Sequence, residues 1–154
     1  MAKADPEPNT IGQKQIMSTL SQTTILAVED NLSDILLLSH TLKQNGFRGE
    51  FLTADSADAG YRLMVERLDS SLPLPNLVLL DLGLPDESGL EMLEKLKSAP
   101  ILSAMKVVVF SGSKSTKDMS KARELGAEWY FIKPSNPADL KFVVQELIGI
   151  AERN

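Results

Sequence analysis

From Thr24 onward, short apolar runs alternate with stretches of helical period. The apolar runs are Ile25–Val28, Glu50–Thr53, Leu77–Leu80, Lys106–Phe110 and Trp129–Ile132, each of strand length. The first, third and fourth are nearly all apolar, as expected of strands covered by helices on both faces. The second is more polar and suits an edge. Helical patterns fill the intervals. Ser33–Gln44 ends before Gly46, and Ser56–Leu68 follows a polar cap. Ser88 and Glu91 have the spacing of a capping box, and Ser115 with Asp118 has a weaker form of it. Asn136 followed by Pro137 opens a last helix. The pattern predicts five β-α pairs around a parallel sheet, an α/β domain over residues 23–154. Residues 1–22 are polar, contain Pro6 and Pro8 and lack a period, so they are expected to form a mobile N-terminal tail.

Composition narrows the function classes. At 154 residues the chain fits one domain able to bury a core. A net charge of −5 gives no basic footprint for a phosphate backbone, so no nucleic-acid partner is expected. The absence of cysteine rules out disulfides and thiolate zinc sites, and a single histidine leaves little for a His-based metal site. That histidine, His40, sits mid-helix in an α/β pattern and reads as an ordinary surface residue rather than a phosphohistidine. The apolar runs fall far short of the roughly 20 residues of a membrane span. With no charged-then-apolar leader in the sequence, the expected compartment is the cytoplasm.

In open parallel sheets, ligands bind beyond the carboxyl ends of the strands. Strand one ends in Glu29-Asp30, strand three in Asp81, strand four in Ser111-Gly112 and strand five in Lys133-Pro134. Three carboxylates, a hydroxyl and an ammonium are thus expected at one sheet edge. Crowded carboxylates repel and call for a cation or for protons. A hard divalent ion such as Mg²⁺ fits oxygen donors, and Asp81 is then placed to act as a nucleophile forming an acyl phosphate. Lys133 and Ser111 would stabilise the transferring phosphoryl oxygens. Any one of these features alone is commonly a cap or a turn; the ordered set of four is what points to chemistry.

The segments ILAVEDN, LVLLDLGLPDESGLEML, VVVFSGS and GAEWYFIKP resemble, in order, the four motifs of the receiver domains of two-component response regulators. The resemblance spans about Thr24 to Glu152. It implies a flavodoxin-like (βα)5 doubly wound sheet with strand order 2-1-3-4-5. It also implies a single-domain switch, not an enzyme acting on external substrates. A sensor histidine kinase would phosphorylate Asp81, with Mg²⁺ held by Asp30, Asp81 and the Gly83 carbonyl and by Glu29 through water. Ser111 and Lys133 fill the family's hydroxyl and lysine positions, Ser111 and Tyr130 its switch pair, and Lys133-Pro134 its usual cis peptide. The EDNLSD segment and the proline-rich stretch Asp69–Asn76 are similar to small regulators paired with bacterial phytochromes.

Two surfaces are expected to carry contacts. On the first helix Ile35, Leu38 and Leu42 form the core stripe, leaving Leu32, Leu36 and Leu37 for a partner such as the kinase. On the last helix Leu140, Val143, Val144 and Leu147 face the core, while Phe142 faces away; with Trp129 it marks a homodimer contact. The other output is an unidentified downstream protein, since no DNA-binding or enzymatic segment is read in the chain. Two rival readings are a phosphohydrolase with an aspartyl nucleophile and a flavodoxin-like cofactor binder. Against the first, Gly83 stands where the general acid two residues after the nucleophile is required. Against the second, no Ser/Thr/Gly-rich phosphate loop follows strand one.

Overall fold

The computed structural model describes residues 22–153. The expected tail therefore lies outside the described residues, except for Gln22, whose side-chain amide donates to the Arg48 carbonyl at 3.2 Å. Five strands alternate with five helices: β1 Thr24–Val28, α1 Leu32–Gln44, β2 Glu50–Ala54, α2 Ala57–Asp69, β3 Leu77–Leu80, α3 Gly89–Ser98, β4 Lys106–Ser111, α4 Thr116–Glu124, β5 Trp129–Ile132 and α5 Pro137–Glu152. The strands form one parallel sheet in the order β2-β1-β3-β4-β5.

Strand alternation divides the core into two layers. Ile25, Ala27, Leu77, Leu79, Val108 and Phe110 face α1 and α5, against Leu38, Leu42, Leu140, Val144 and Leu147. Leu26, Val28, Val78, Leu80, Val107 and Val109 face the other way, against Met64, Met92, Leu93, Leu96 and Ala122 of α2, α3 and α4. The central strands are buried on both faces, whereas β2 and β5 are partly open at the two edges. In α4 only Ala122 is buried, so it is the helix least anchored by apolar contact. Among the described residues no helix is long and apolar enough to cross a membrane.

Local chemistry sets the helix starts. α1 begins one residue before the expected Ser33, because Asn31 is the cap: its side-chain oxygen accepts from the Asp34 amide at 3.0 Å. Ser115 and Asn136 cap as expected, accepting from Asp118 and Asp139, whereas Ser56, expected as the first helical residue, is itself the cap of α2 and accepts from Ala59. Ser88 departs from the expected box by accepting from Leu90 at 3.2 Å rather than from Glu91. The start of α3 is also set down closely on the chain leaving β3. A Cβ on Gly89 would stand 2.3 Å from the Asp81 carbonyl oxygen and 2.7 Å from the Leu82 Cα, both backbone atoms.

Glycines at the two extremes of this packing give opposite expectations. Gly89→Ala has to push α3 off the Asp81 carbonyl and is expected to cost on the order of 1–3 kcal/mol. Gly149 lies within α5 with nothing within 4 Å of its would-be Cβ. Gly149→Ala is expected to stabilise the protein by about 0.5–1 kcal/mol through helix propensity. Urea unfolding of both variants beside the wild type checks the pair of signs.

Candidate functional site

The carboxyl ends of β1, β3, β4 and β5 converge at one edge. Backbone pairing brings them into line: the Asp81 amide donates to the Val28 carbonyl at 3.1 Å, and the Lys133 amide to the Ser111 carbonyl at 2.8 Å. Glu29, Asp81 and Ser111 are buried, while Asp30 is exposed. One carboxylate oxygen from each of Glu29, Asp30 and Asp81 lies within 4.8 Å of the others. Three hard oxygen donors at that separation fit a small divalent cation. The Gly83 amide donates to Asp81 Oδ1 at 3.4 Å, which turns the loop after β3 back over the carboxylate.

Lys133 closes the cluster from β5. Its Nζ lies 2.6 Å from Glu29 Oε2, 2.9 Å from Asp34 Oδ2 and 3.5 Å from Asp81 Oδ2. Burial alone would push the ammonium down; the bonds from Glu29 and Asp34 and the charge of Asp81 reverse this and hold it above the ordinary lysine value. Burial pushes the Glu29 carboxyl up, and the Asp81 charge adds to the rise. Lys133 and the Asn31 amide, which donates to Glu29 Oε1 at 3.0 Å, oppose it without cancelling it.

Of the residues expected from sequence, Glu29, Asp30, Asp81 and Lys133 are brought into this one cluster. Ser111 ends β4 beside β5, and its Oγ accepts from the Ser113 amide at 3.3 Å. Tyr130 is half-buried, and its hydroxyl donates to the Ser113 carbonyl at 2.9 Å. Ser113 Oγ in turn donates to Asp118 in the first turn of α4 at 2.7 Å, so a polar chain runs from β5 through the β4–α4 loop into α4. The expected cis bond is a correction: the described residues contain no cis peptide, and Lys133 reaches all three carboxylates from a trans Lys133–Pro134 bond.

Asp34 was missed by sequence reasoning as a site residue. It sits at the third position of α1, where an acid is favoured by the helix end whether or not it has a partner, and this conceals its contact with Lys133. The only sequence signal is an acid in the first turn of the helix that follows Glu29-Asp30.

Comparison with known proteins agrees with this geometry. Residues 25–145 match the family model described as the response regulator receiver domain. The chain is 38% identical over 125 residues to the probable methanogenesis regulatory protein FilR2 of Methanothrix harundinacea, covering 80% of this chain and 79% of that one. It is 34% identical over 122 residues to the response regulator Rcp1 of Synechocystis, covering 79% and 83%. Among solved structures, the phosphorylated cyanobacterial phytochrome response regulator RcpA superposes with a TM-score of 0.76 at 28% identity, over 85% of this chain and 94% of that one. The Mn²⁺-bound form of Rcp1 superposes with a TM-score of 0.74 at 30% identity, over 86% and 96%.

The charge arrangement makes metal-free stability a direct readout. Ionised Glu29 weakens the fold; this effect is absent below its ordinary value of 4.5, grows as pH rises from there to its raised value, and is constant above it. The Lys133 contribution is present below 10.5 and is lost only as pH climbs past its raised value. In chelator, Lys133→Met is expected to cost on the order of 3 kcal/mol at pH 7, a deficit that shrinks as pH falls toward 4.5 and Glu29 takes up a proton. Asp30 makes no contact with Lys133 short enough to count as an ion pair, so Asp30→Asn is expected to raise the metal-free melting temperature. The same change should weaken divalent-ion affinity by about tenfold, near 1.4 kcal/mol. Thermal melts across pH and a metal titration check both.

Proposed function

We propose, the chain being a member of the response regulator receiver family, that it accepts a phosphoryl group on Asp81 from a sensor histidine kinase and signals by contacts that depend on that group. The observation that carries the reading is the setting of Asp81: buried at the end of β3, within reach of Lys133 and beside the carboxylates of Glu29 and Asp30. Asp81 attacks phosphorus through a carboxylate oxygen; the bond from phosphorus to the donor nitrogen breaks, and its electron pair leaves with the donor. Lys133 shifts from its carboxylate partners to a phosphoryl oxygen, and Ser111 donates its hydroxyl proton to another. Asp30, Asp81 and the Gly83 carbonyl, with Glu29 through water, would hold Mg²⁺, which when bound supplies positive charge against the phosphoryl oxygens. The Mn²⁺-bound relative supports a divalent ion here.

Resemblance to the cyanobacterial phytochrome response regulator RcpA supports a phytochrome-type kinase as the donor. Leu32, Leu36 and Leu37, exposed on α1 near the site, offer that kinase an apolar surface. The output is a downstream protein or a second copy of this chain, met through the face that exposes Trp129 and Phe142, each 59% accessible. Gly83, in place of a general acid, supports a switch over a phosphohydrolase.

With Mg²⁺ and acetyl phosphate, the protein is expected to gain one acid-labile phosphoryl group, detected by intact mass. Asp81→Asn should abolish the gain, and stoichiometric labelling of that variant would falsify the assignment. A second test follows the polar chain from Tyr130 through Ser113 to Asp118. Beryllofluoride is expected to change hydrogen exchange in α4 and β5. Exchange altered only around Glu29–Asn31 and Asp81–Gly83 would remove the switch role of Ser111 and Tyr130.

A further inference from the structure

We propose that Asp86 is a positioning residue that holds the loop carrying Asp81 and Gly83 in place against the strand carrying Glu29 and Asp30. The proposal rests on the reading of that edge as a divalent-ion and phosphoryl site. The loop leaves β3 at Asp81 and is closed by the Gly89 amide donating to the Leu82 carbonyl at 3.1 Å. Between these points Gly83, Pro85 and Asp86 are exposed, and nothing in a strand or helix ladder supports them.

Outside ties come from α2. Asp86 Oδ1 accepts from the Ala57 amide and Oδ2 from the Asp58 amide, both at 3.0 Å. Next to it, Glu87 accepts from the Tyr61 hydroxyl at 3.2 Å and pairs with Lys95 at 2.8 Å. Both oxygens of this solvent-exposed aspartate are thus held by consecutive amides. Here the bond from Asp58, with that from Ala57, keeps its carboxyl below the ordinary aspartate value.

The helix end does not need Asp86 to be capped from its own sequence, because Ser56 already takes the Ala59 amide. What Asp86 adds is a link across 28 residues to an element rigidly tied to β1. The Ala54 carbonyl, two residues before Ser56, accepts from the Glu29 amide at 2.8 Å. Gly60, in the first turn of α2, lies so close to β1 that an added Cβ would stand 3.3 Å from Val28 Cγ2. Asp86 thus joins the loop bearing one carboxylate to the backbone that fixes the other two.

Four proteins test this: wild type, Asp86→Ala, Asp86→Asn and Ser56→Ala. Each is titrated with Mn²⁺ alone, and hydrogen exchange of residues 82–84 is measured in the metal-free state. Asp86→Ala is expected to weaken Mn²⁺ binding about tenfold and to speed exchange in the loop. Asp86→Asn, which keeps one acceptor oxygen, should recover part of both. Ser56→Ala weakens the same helix end and should lower the melting temperature while leaving Mn²⁺ affinity near that of the wild type. Wild-type affinity and exchange in Asp86→Ala would overturn the proposal, as would an equal loss in Ser56→Ala. A wild type that takes no Mn²⁺ would count against the functional reading, and loop exchange then decides the positioning claim on its own.

Discussion

Everything at the functional edge depends on one ammonium group lodged among carboxylates. Glu29, Asp81 and Asp34 each carry negative charge into a space where water is scarce for two of them, and Lys133 stands within 2.6–3.5 Å of all three. Removing like charges from water to a shared site is unfavourable unless a cation attends them. The lysine meets that need only in part, since the Glu29 carboxyl remains pushed up by burial and by Asp81. The residual imbalance leaves the edge ready for further positive charge. A fully compensated cluster of the same residues would have no such appetite.

The parallel sheet makes this crowding achievable. Each of the four central and edge strands that contribute ends its apolar run at the same side, so polar residues that follow those runs are delivered together. The two apolar layers then resist the spreading that charge repulsion would favour. Gly89 tightens the arrangement by letting α3 sit against the Asp81 carbonyl, where no side chain fits. Rigidity at the centre contrasts with α4, where a single buried alanine and a chain of side-chain hydrogen bonds from Tyr130 hold the helix.

Much of this was legible in the sequence, for a physical reason. Uninterrupted apolar runs such as LVLL and VVVF are what doubly covered strands require, and the acid or hydroxyl that breaks each run marks its end. Glu29, Asp30, Asp81, Ser111 and Lys133 could therefore be placed at one edge before any contact was known. Helix faces were legible from the helical period: of the expected stripe Leu38 and Leu42 are buried and Ile35, near the helix start, is only half-buried, while Leu32, Leu36 and Leu37 are exposed. Contacts between polar residues on different elements were not. Asp34 meets Lys133 across 99 residues and Asp86 meets Ala57 across 29, and in both cases the acid sits where a lone acid would also be unremarkable. The bond before Pro134 departs from the geometry that the resemblance implies: it is trans, and Lys133 meets its partners beside it.

The order of these groups along the chain has a consequence for how the molecule is born. Glu29, Asp34 and Asp81 all precede Lys133, the last of them by 52 residues. At a synthesis rate of roughly 5–20 residues per second, the nascent chain carries its carboxylates for several seconds before their ammonium partner is made. During that interval β1 and β3 can pair, yet the edge they form is repulsive. Closure of the sheet by β5 then does two jobs in one event: it covers the side of β4 and it relieves part of the repulsion at the strand ends. Until β5 joins β4, the carboxylates at the ends of β1 and β3 have no lysine beside them.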